Sequence, residues 1–117
     1  MKKARPKLKS RRLILNVRWH LDEGRYLDTR HAVQRQMERK ILRPEILYVL
    51  RRGRHERRKD RYQKRFQAWN YAIRGKTPDQ KELRVIVSFD KNNMLIITAI
   101  DLRAKKHEKR KDSKDLH

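Results

Sequence analysis

The feature that most limits the fold of this chain is a pair of apolar segments separated by four polar residues. From Leu83 to Phe89 apolar residues alternate with more polar ones, and a second apolar segment runs from Met94 to Ile100. Alternation with a period of two predicts half-buried strands, and the intervening Asp-Lys-Asn-Asn at 90–93 is typical of a short turn. The chain is therefore predicted to contain a β-hairpin, one face of which the remaining residues must cover.

Three upstream segments have apolar residues at helical spacing. The first is expected to begin near Ser10, a common N-cap residue, and the second at Asp28 or Thr29. The third follows Pro44, which suits the first turn of a helix, and ends at Gly53. Residues 29–52 are therefore predicted to form a helical hairpin with a tight corner.

The order of elements predicts an α+β domain with helices packed on one face of a small antiparallel sheet. A short strand is expected near Tyr26, and the aromatic and branched residues between 62 and 73 are typical of another strand. The sequence is divided into a basic N-terminal arm and helix (1–21), the α+β domain (22–102) and a basic flexible tail (103–117). The residues predicted for the core are Val33, Met37, Ile46, Leu50, Phe66, Trp69, Val85, Val87 and Ile96.

The charge of the chain limits its possible partners. With 35 Lys and Arg against 14 Asp and Glu, the net charge is +21. Self-repulsion of this size disfavours a compact state unless an acidic partner or counterions neutralise it, and nucleic-acid phosphates are the commonest such partner. An anionic membrane surface is a weaker interpretation, because the charge is spread along the chain rather than placed on one amphipathic helix.

Several other classes of function are disfavoured by the sequence. Cysteine is absent, so disulfides and thiolate metal sites are excluded, and five His without clustered acids have no metal-ligand spacing. Neither a metal nor another cofactor is therefore predicted. No apolar run is long enough to cross a bilayer or to form a signal peptide, so a cytoplasmic protein without a membrane partner is predicted.

The second predicted helix carries the pattern Thr-x-His-Ala-x-x-Arg-x-x-Glu-Arg-x-Ile at 29–41. It resembles the opening motif of a small bacterial family of domains of unknown function, over roughly residues 26–101. Two departures are that Gln36 stands where the family has Met, and that Lys40 stands where it has Gly. The family is similar to RelE and BrnT type toxins, which implies a compact RelE-like α+β fold, RNA cleavage and inhibition by an antitoxin.

The resemblance implies a catalytic role for His31, Arg35 and Arg39, which helical spacing places on one face. RNA cleavage without metal needs a base for the 2′-hydroxyl, an acid for the leaving 5′-oxygen and a cation for the phosphorane-like transition state. Histidine suits the acid–base work, and the guanidinium fork of arginine suits the charge. A solvated polar face with one His is an equally good interpretation, in which Glu38 forms only a surface ion pair. His20 and His55 are alternative acid–base groups, each more simply read as a surface residue.

The strongest electrostatic feature is a basic segment between the third helix and the predicted aromatic strand. Basic residues interleaved with aromatic ones can hold a phosphate backbone and stack bases. The residues predicted to bind nucleic acid are Arg51, Arg52, Arg54, Arg57, Arg58, Lys59, Arg61, Tyr62 and Arg65.

These features favour a nucleic-acid-binding protein, with RNA the expected ligand and toxin-like, metal-independent RNA cleavage the expected activity. An acidic antitoxin and the ribosome are the expected partners. The alternative is a non-catalytic RNA- or DNA-binding module, ribosome-associated or phage-encoded, which the basic extensions at both ends favour. A third interpretation is a protein that binds an acidic partner chain.

Overall fold

The computed structural model of the protein describes residues 9–103. The predicted tail, apart from Arg103, therefore lies outside the described residues, as do the first eight residues of the arm. Residues 9–103 contain three α-helices of ten residues each, α1 (Leu13–Asp22), α2 (Arg30–Arg39) and α3 (Arg43–Arg52). The same part of the chain forms six strands, of which β1 lies between α1 and α2 and the others follow α3: β1 (Tyr26–Asp28), β2 (Arg54–His55), β3 (Arg61–Gln63), β4 (Ala68–Lys76), β5 (Glu82–Phe89) and β6 (Met94–Asp101).

The sheet has the order β1-β6-β5-β4-β2, and β3 pairs separately with β4. All pairs are antiparallel except β1 with β6, which is parallel. The predicted β5–β6 hairpin is confirmed, with Asp90 Oδ1 accepting hydrogen bonds from the backbone N–H groups of Asn92 and Asn93 in the turn. The α+β class and the short strand at Tyr26 are confirmed as well.

The hydrophobic core lies between one face of the sheet and the helices. Val85 and Val87 of β5 and Ile73 of β4 are fully buried, and they belong to one cluster with Ile46 and Leu50 of α3. Because side chains alternate along a strand, the residues of β4 and β5 next to these buried positions point to the opposite face of the sheet. That opposite face carries Asn70, Arg74, Arg84, Ile86 and Ser88.

The prediction for the apolar face of α2 is wrong. Val33 and Met37 are exposed, Met37 by 77%, whereas Ala32 is buried. The helix follows β1 directly and packs against β6, and the small Ala32 allows the close approach. Ile41 is buried because it lies beyond the end of the helix, where Lys40 at φ 55° and ψ 40° turns the chain toward α3.

The segment from 54 to 73 also differs from prediction. The charged connection contains β2, a short 3₁₀ turn at Arg57–Lys59 and β3, all beside β4. The aromatic residues form two strands rather than one, and Phe66 lies in the turn between them. Phe66 is 71% exposed, so its assignment to the core is wrong, while Trp69 is partly buried against the core.

The helix ends are close to their predicted positions. Thr29 caps α2, its Oγ1 accepting a hydrogen bond from the Ala32 N–H at 3.1 Å. Ser10 does not cap α1, because the N-cap residue is Arg12 and the Ser10 N–H donates to the Tyr71 hydroxyl instead. Gly53 ends α3, and a Cβ there would lie 2.5 Å from the Val49 carbonyl oxygen of α3 and 2.7 Å from the Arg74 carbonyl oxygen of β4, so the close approach of helix and sheet requires glycine.

Candidate nucleic-acid interface

The structure brings His31 and Arg35 together on α2. They are four residues apart and therefore lie one above the other on the helix. Arg35 Nε donates to His31 Nε2 at 3.4 Å, and its Nη1 forms an ion pair with Glu38 at 3.0 Å. This places a cation beside an exposed imidazole on one face of α2.

Glu38 is held by its neighbours on the same helix. A hydrogen bond from the Gln34 amide, followed by the charge of Arg35 and its hydrogen bond, lowers the pKa of Glu38 below its ordinary value. Glu38 therefore stays ionised and balances part of the positive charge on Arg35. It makes no hydrogen bond to His31 within the described part of the chain.

Arg39 contacts the sheet rather than the other two predicted catalytic residues. Its Nη1 donates to the Ala99 carbonyl at 2.7 Å and to Thr98 Oγ1 at 3.2 Å. The guanidinium thereby links the last turn of α2 to β6. Of the three residues predicted to share a catalytic face, the structure brings two into contact and gives the third a structural link.

The basic residues from 51 to 65, called the basic strip here, lie at the end of α3, on the edge strand β2, in the 3₁₀ turn, and in and after β3, and all except the partly buried Lys59 are exposed. Arg57, Arg58 and Lys59 lie in the 3₁₀ turn, and none of them forms an ion pair with any residue between 9 and 103. The flanking acids Glu56 and Asp60 pair with other residues, so the three charges raise the local positive potential, which attracts a polyanion.

The other residues of this strip have contacts within the molecule. Arg51 pairs with Asp22 at 2.8 Å, and the Arg52 guanidinium lies over the Tyr48 ring. Arg61 donates to two backbone carbonyl oxygens, and Tyr62 packs edge-on against Trp69, 5.5 Å between centroids. Arg54 and Arg65 remain exposed, with Arg65 over the ring of Phe66 at 5.4 Å.

His55 is predicted to be a surface residue, but its side chain is largely buried and held by an acidic partner. Its side chain is only 9% exposed, and its Nε2 lies 2.6 Å from Oδ2 of the fully buried Asp60. Asp60 also pairs with Lys9 at 2.8 Å and accepts a hydrogen bond from the Ala72 N–H. Because the carboxylate is an acceptor, the proton of a neutral His55 lies on Nε2, which leaves Nδ1 as a possible base.

A cavity of about 610 Å³ lies beside the pair formed by His55 and Asp60, and it is lined by Lys9, Ser10, Arg11, His55 and Arg57. An oriented imidazole beside several cations is an arrangement that sequence reasoning did not find. The partners of His55 lie at positions 9 and 60, and no local pattern marks Asp60 as buried.

His20 is excluded as an accessible acid–base group by its surroundings. It is buried, its Nδ1 lies 2.8 Å from the Asn16 carbonyl oxygen, and its ring packs between Trp19 and Phe89. Its surface interpretation is therefore wrong, because α1 turns it toward the core. His107 and His117 lie outside the described residues.

Residues 9–103 contain neither a cluster of metal ligands nor a helix that could cross a membrane. No group of three or more His, Asp or Glu side chains is placed to hold a metal ion. None of the helices in this range is both long enough and apolar enough to cross a membrane.

The fold and surface define a small, strongly basic α+β domain. Residues 29–101 match the family of domains of unknown function designated DUF4258, and this match covers more than half of the chain. The chain therefore belongs to that family. No curated protein and no solved structure matches it significantly.

Proposed function

We propose that this protein binds single-stranded RNA through the exposed strip between Arg51 and Arg65. The observation that carries the proposal is the trio Arg57, Arg58 and Lys59, which have no acidic partner in the described part of the chain. Cations of this kind release condensed counterions from phosphates, which supplies sequence-independent affinity. The net charge of +21 supports the same conclusion for the whole chain.

The binding test compares two triple variants that lose equal charge. Replacing Arg57, Arg58 and Lys59 by Ala is expected to weaken RNA binding and to reduce the slope of log K against log salt by up to about 2, since each single-strand phosphate contact contributes about 0.7. Replacing the exposed Arg25, Arg30 and Lys76 by Ala is the control. Equal losses in the two variants, measured by fluorescence anisotropy, would contradict a local binding site.

We propose further that the bound RNA is cleaved without metal, the activity that a resemblance to RelE and BrnT type toxins would imply. The contact between Arg35 and His31 supports this second step, because it pairs an acid–base group with a cation for the transition state. Arg39 then positions α2 through its contacts with β6. An acidic antitoxin, the ribosome as the place of cleavage and a cytoplasmic location belong to the same proposal.

The cleavage test is incubation with labelled RNA in EDTA, with and without ribosomes, for wild type, His31→Ala and His55→Ala. Loss of cleavage in His31→Ala alone would assign the reaction to the family motif. Loss in His55→Ala alone would assign it to the imidazole oriented by Asp60. RNA that stays intact under both conditions while still binding would establish a non-catalytic module.

A further inference from the structure

The sheet face opposite the helices α1 and α3 carries a groove of about 700 Å³. Its floor is formed by residues of three neighbouring strands, Ala68 and Asn70 of β4, Ser88 of β5, and Leu95 and Ile97 of β6. Its walls are the β3–β4 turn with Phe66, the β5–β6 turn with Lys91, and Thr29 at the start of α2. The groove has the volume of a typical small-ligand site.

Phe66 is the unusual residue of this groove. A phenylalanine that is 71% exposed does not stabilise the core, and here it stands in a turn beside a sheet face. The Arg65 guanidinium lies 5.4 Å from the centroid of its ring. An exposed ring with an adjacent cation is the arrangement on which proteins stack unpaired bases.

The other groups around the groove match the chemistry of a nucleobase. The floor is largely apolar, which suits the face of a base, while Gln63 and Asn70 carry amides that both donate and accept hydrogen bonds. Neither of these two amide groups forms a side-chain hydrogen bond within residues 9–103. Lys91 in the β5–β6 turn is exposed, lies at the same end of the sheet as the turn with Phe66, and can contact a phosphate of the same nucleotide.

The position of the groove also fits the proposed RNA path. Phe66 adjoins Arg65, the last residue of the basic strip. Thr29 at the far wall is the N-cap of α2, two residues before His31. A strand of RNA held by the strip at the Phe66 side can therefore cross the groove toward α2.

We propose that this groove binds an unpaired nucleobase of the RNA, stacked on Phe66. The proposal rests on the proposed RNA binding, and it adds a contact that depends on bases rather than on phosphates. A peptide partner in the same groove is the competing occupant, and the test below separates the two.

The test measures binding of a short labelled oligouridylate and of an abasic ribose-phosphate oligomer of equal length. Phe66→Leu, which keeps apolar bulk but removes the ring, is expected to weaken oligouridylate binding roughly 5- to 100-fold. Binding of the abasic oligomer should not change, because its phosphates contact the basic strip. Phe66→Trp should retain or raise oligouridylate affinity.

The matched control is Leu15→Ala, which truncates another exposed apolar side chain, on α1. Circular dichroism confirms that each variant is folded, which is expected because both side chains are exposed. If Phe66→Leu binds both oligomers as wild type does, the base site is overturned while RNA binding stands, and a peptide occupant becomes the better interpretation. If wild type binds neither oligomer, both the base site and the proposed function fail.

Discussion

At the scale of single residues, Glu56 carries the clearest electrostatic task in this protein. It is buried between Arg74 and Arg84, which lie directly opposite each other on β4 and β5. Glu56 Oε1 accepts from Arg84 Nε at 2.6 Å, and Oε2 accepts from Arg74 Nη1 at 3.1 Å. Like charges opposite one another destabilise a sheet, so this carboxylate removes a local repulsion.

The pKa of Glu56 makes this contribution measurable as a pH dependence. The hydrogen bonds from Arg84 and then Arg74 lower the pKa from 4.5 to about 2. A carboxylate whose pKa is lower in the folded state stabilises the fold above pH 4.5 and loses that contribution as the pH falls toward 2. We expect Glu56→Gln to reduce the free energy of unfolding by about 2 kcal/mol at neutral pH. This value is lower than the pKa shift alone would give, because solvent partly screens the contacts of Glu56 with the two arginines.

Urea unfolding at a series of pH values measures this difference. The gap between wild type and Glu56→Gln should shrink as the pH falls from 4.5 toward 2, because protons then bind the unfolded chain at Glu56 more readily than the folded one and the charge contribution is lost. Asp22→Asn is the control, since the Asp22–Arg51 pair is exposed and is worth less than about 1 kcal/mol. A gap that stays constant with pH would show that Glu56 acts through packing rather than charge.

At the scale of elements, the corner between α2 and α3 depends on Lys40. Its φ of 55° lies in the left-handed region, where a side chain costs roughly 1–2 kcal/mol and glycine costs little. We expect Lys40→Gly to raise the free energy of unfolding by about 0.5–1 kcal/mol relative to Lys40→Ala, which removes the same charge but keeps a Cβ. Thermal unfolding of both variants tests this, and equal stabilities would contradict a strained corner.

The same scale explains which elements the sequence predicts. Strands β5 and β6 are predictable because their alternation and their turn residues are local signals. The buried side of α2 is not, because the helix meets β6 through Ala32, whose small side chain leaves no hydropathy signal, while Val33 and Met37 face solvent. Strands β2 and β3 are not predictable, because they lie in a charged segment and are defined only by their pairing with β4.

The candidate site also has contacts that the sequence predicts and contacts that it does not. The contact between His31 and Arg35 follows from helical spacing and was therefore predictable. The link from Lys9 through Asp60 to His55 joins distant parts of the chain, so no periodicity indicates it. Phe66 was misplaced because an aromatic residue beside strand-forming residues is usually buried, whereas here the turn between β3 and β4 exposes it.

At the scale of the whole molecule, repulsion between like charges opposes folding. With 35 cationic and 14 acidic residues, one-to-one pairing leaves 35 − 14 = 21 cations without an acidic partner. Salt screens this repulsion over a Debye length of roughly 10 Å or less. Salt also weakens exposed ion pairs, but these contribute little to the free energy of folding. We therefore expect the melting temperature to rise with added sodium chloride. At equal ionic strength we expect polyphosphate to raise it further, by binding the folded chain more tightly than the unfolded one. Differential scanning calorimetry measures both effects, with sodium sulfate and chloride compared at matched ionic strength to separate screening from salt-specific effects. A melting temperature that falls with sodium chloride would mean that ion pairs such as those of Glu56, rather than net repulsion, dominate the electrostatic free energy of folding.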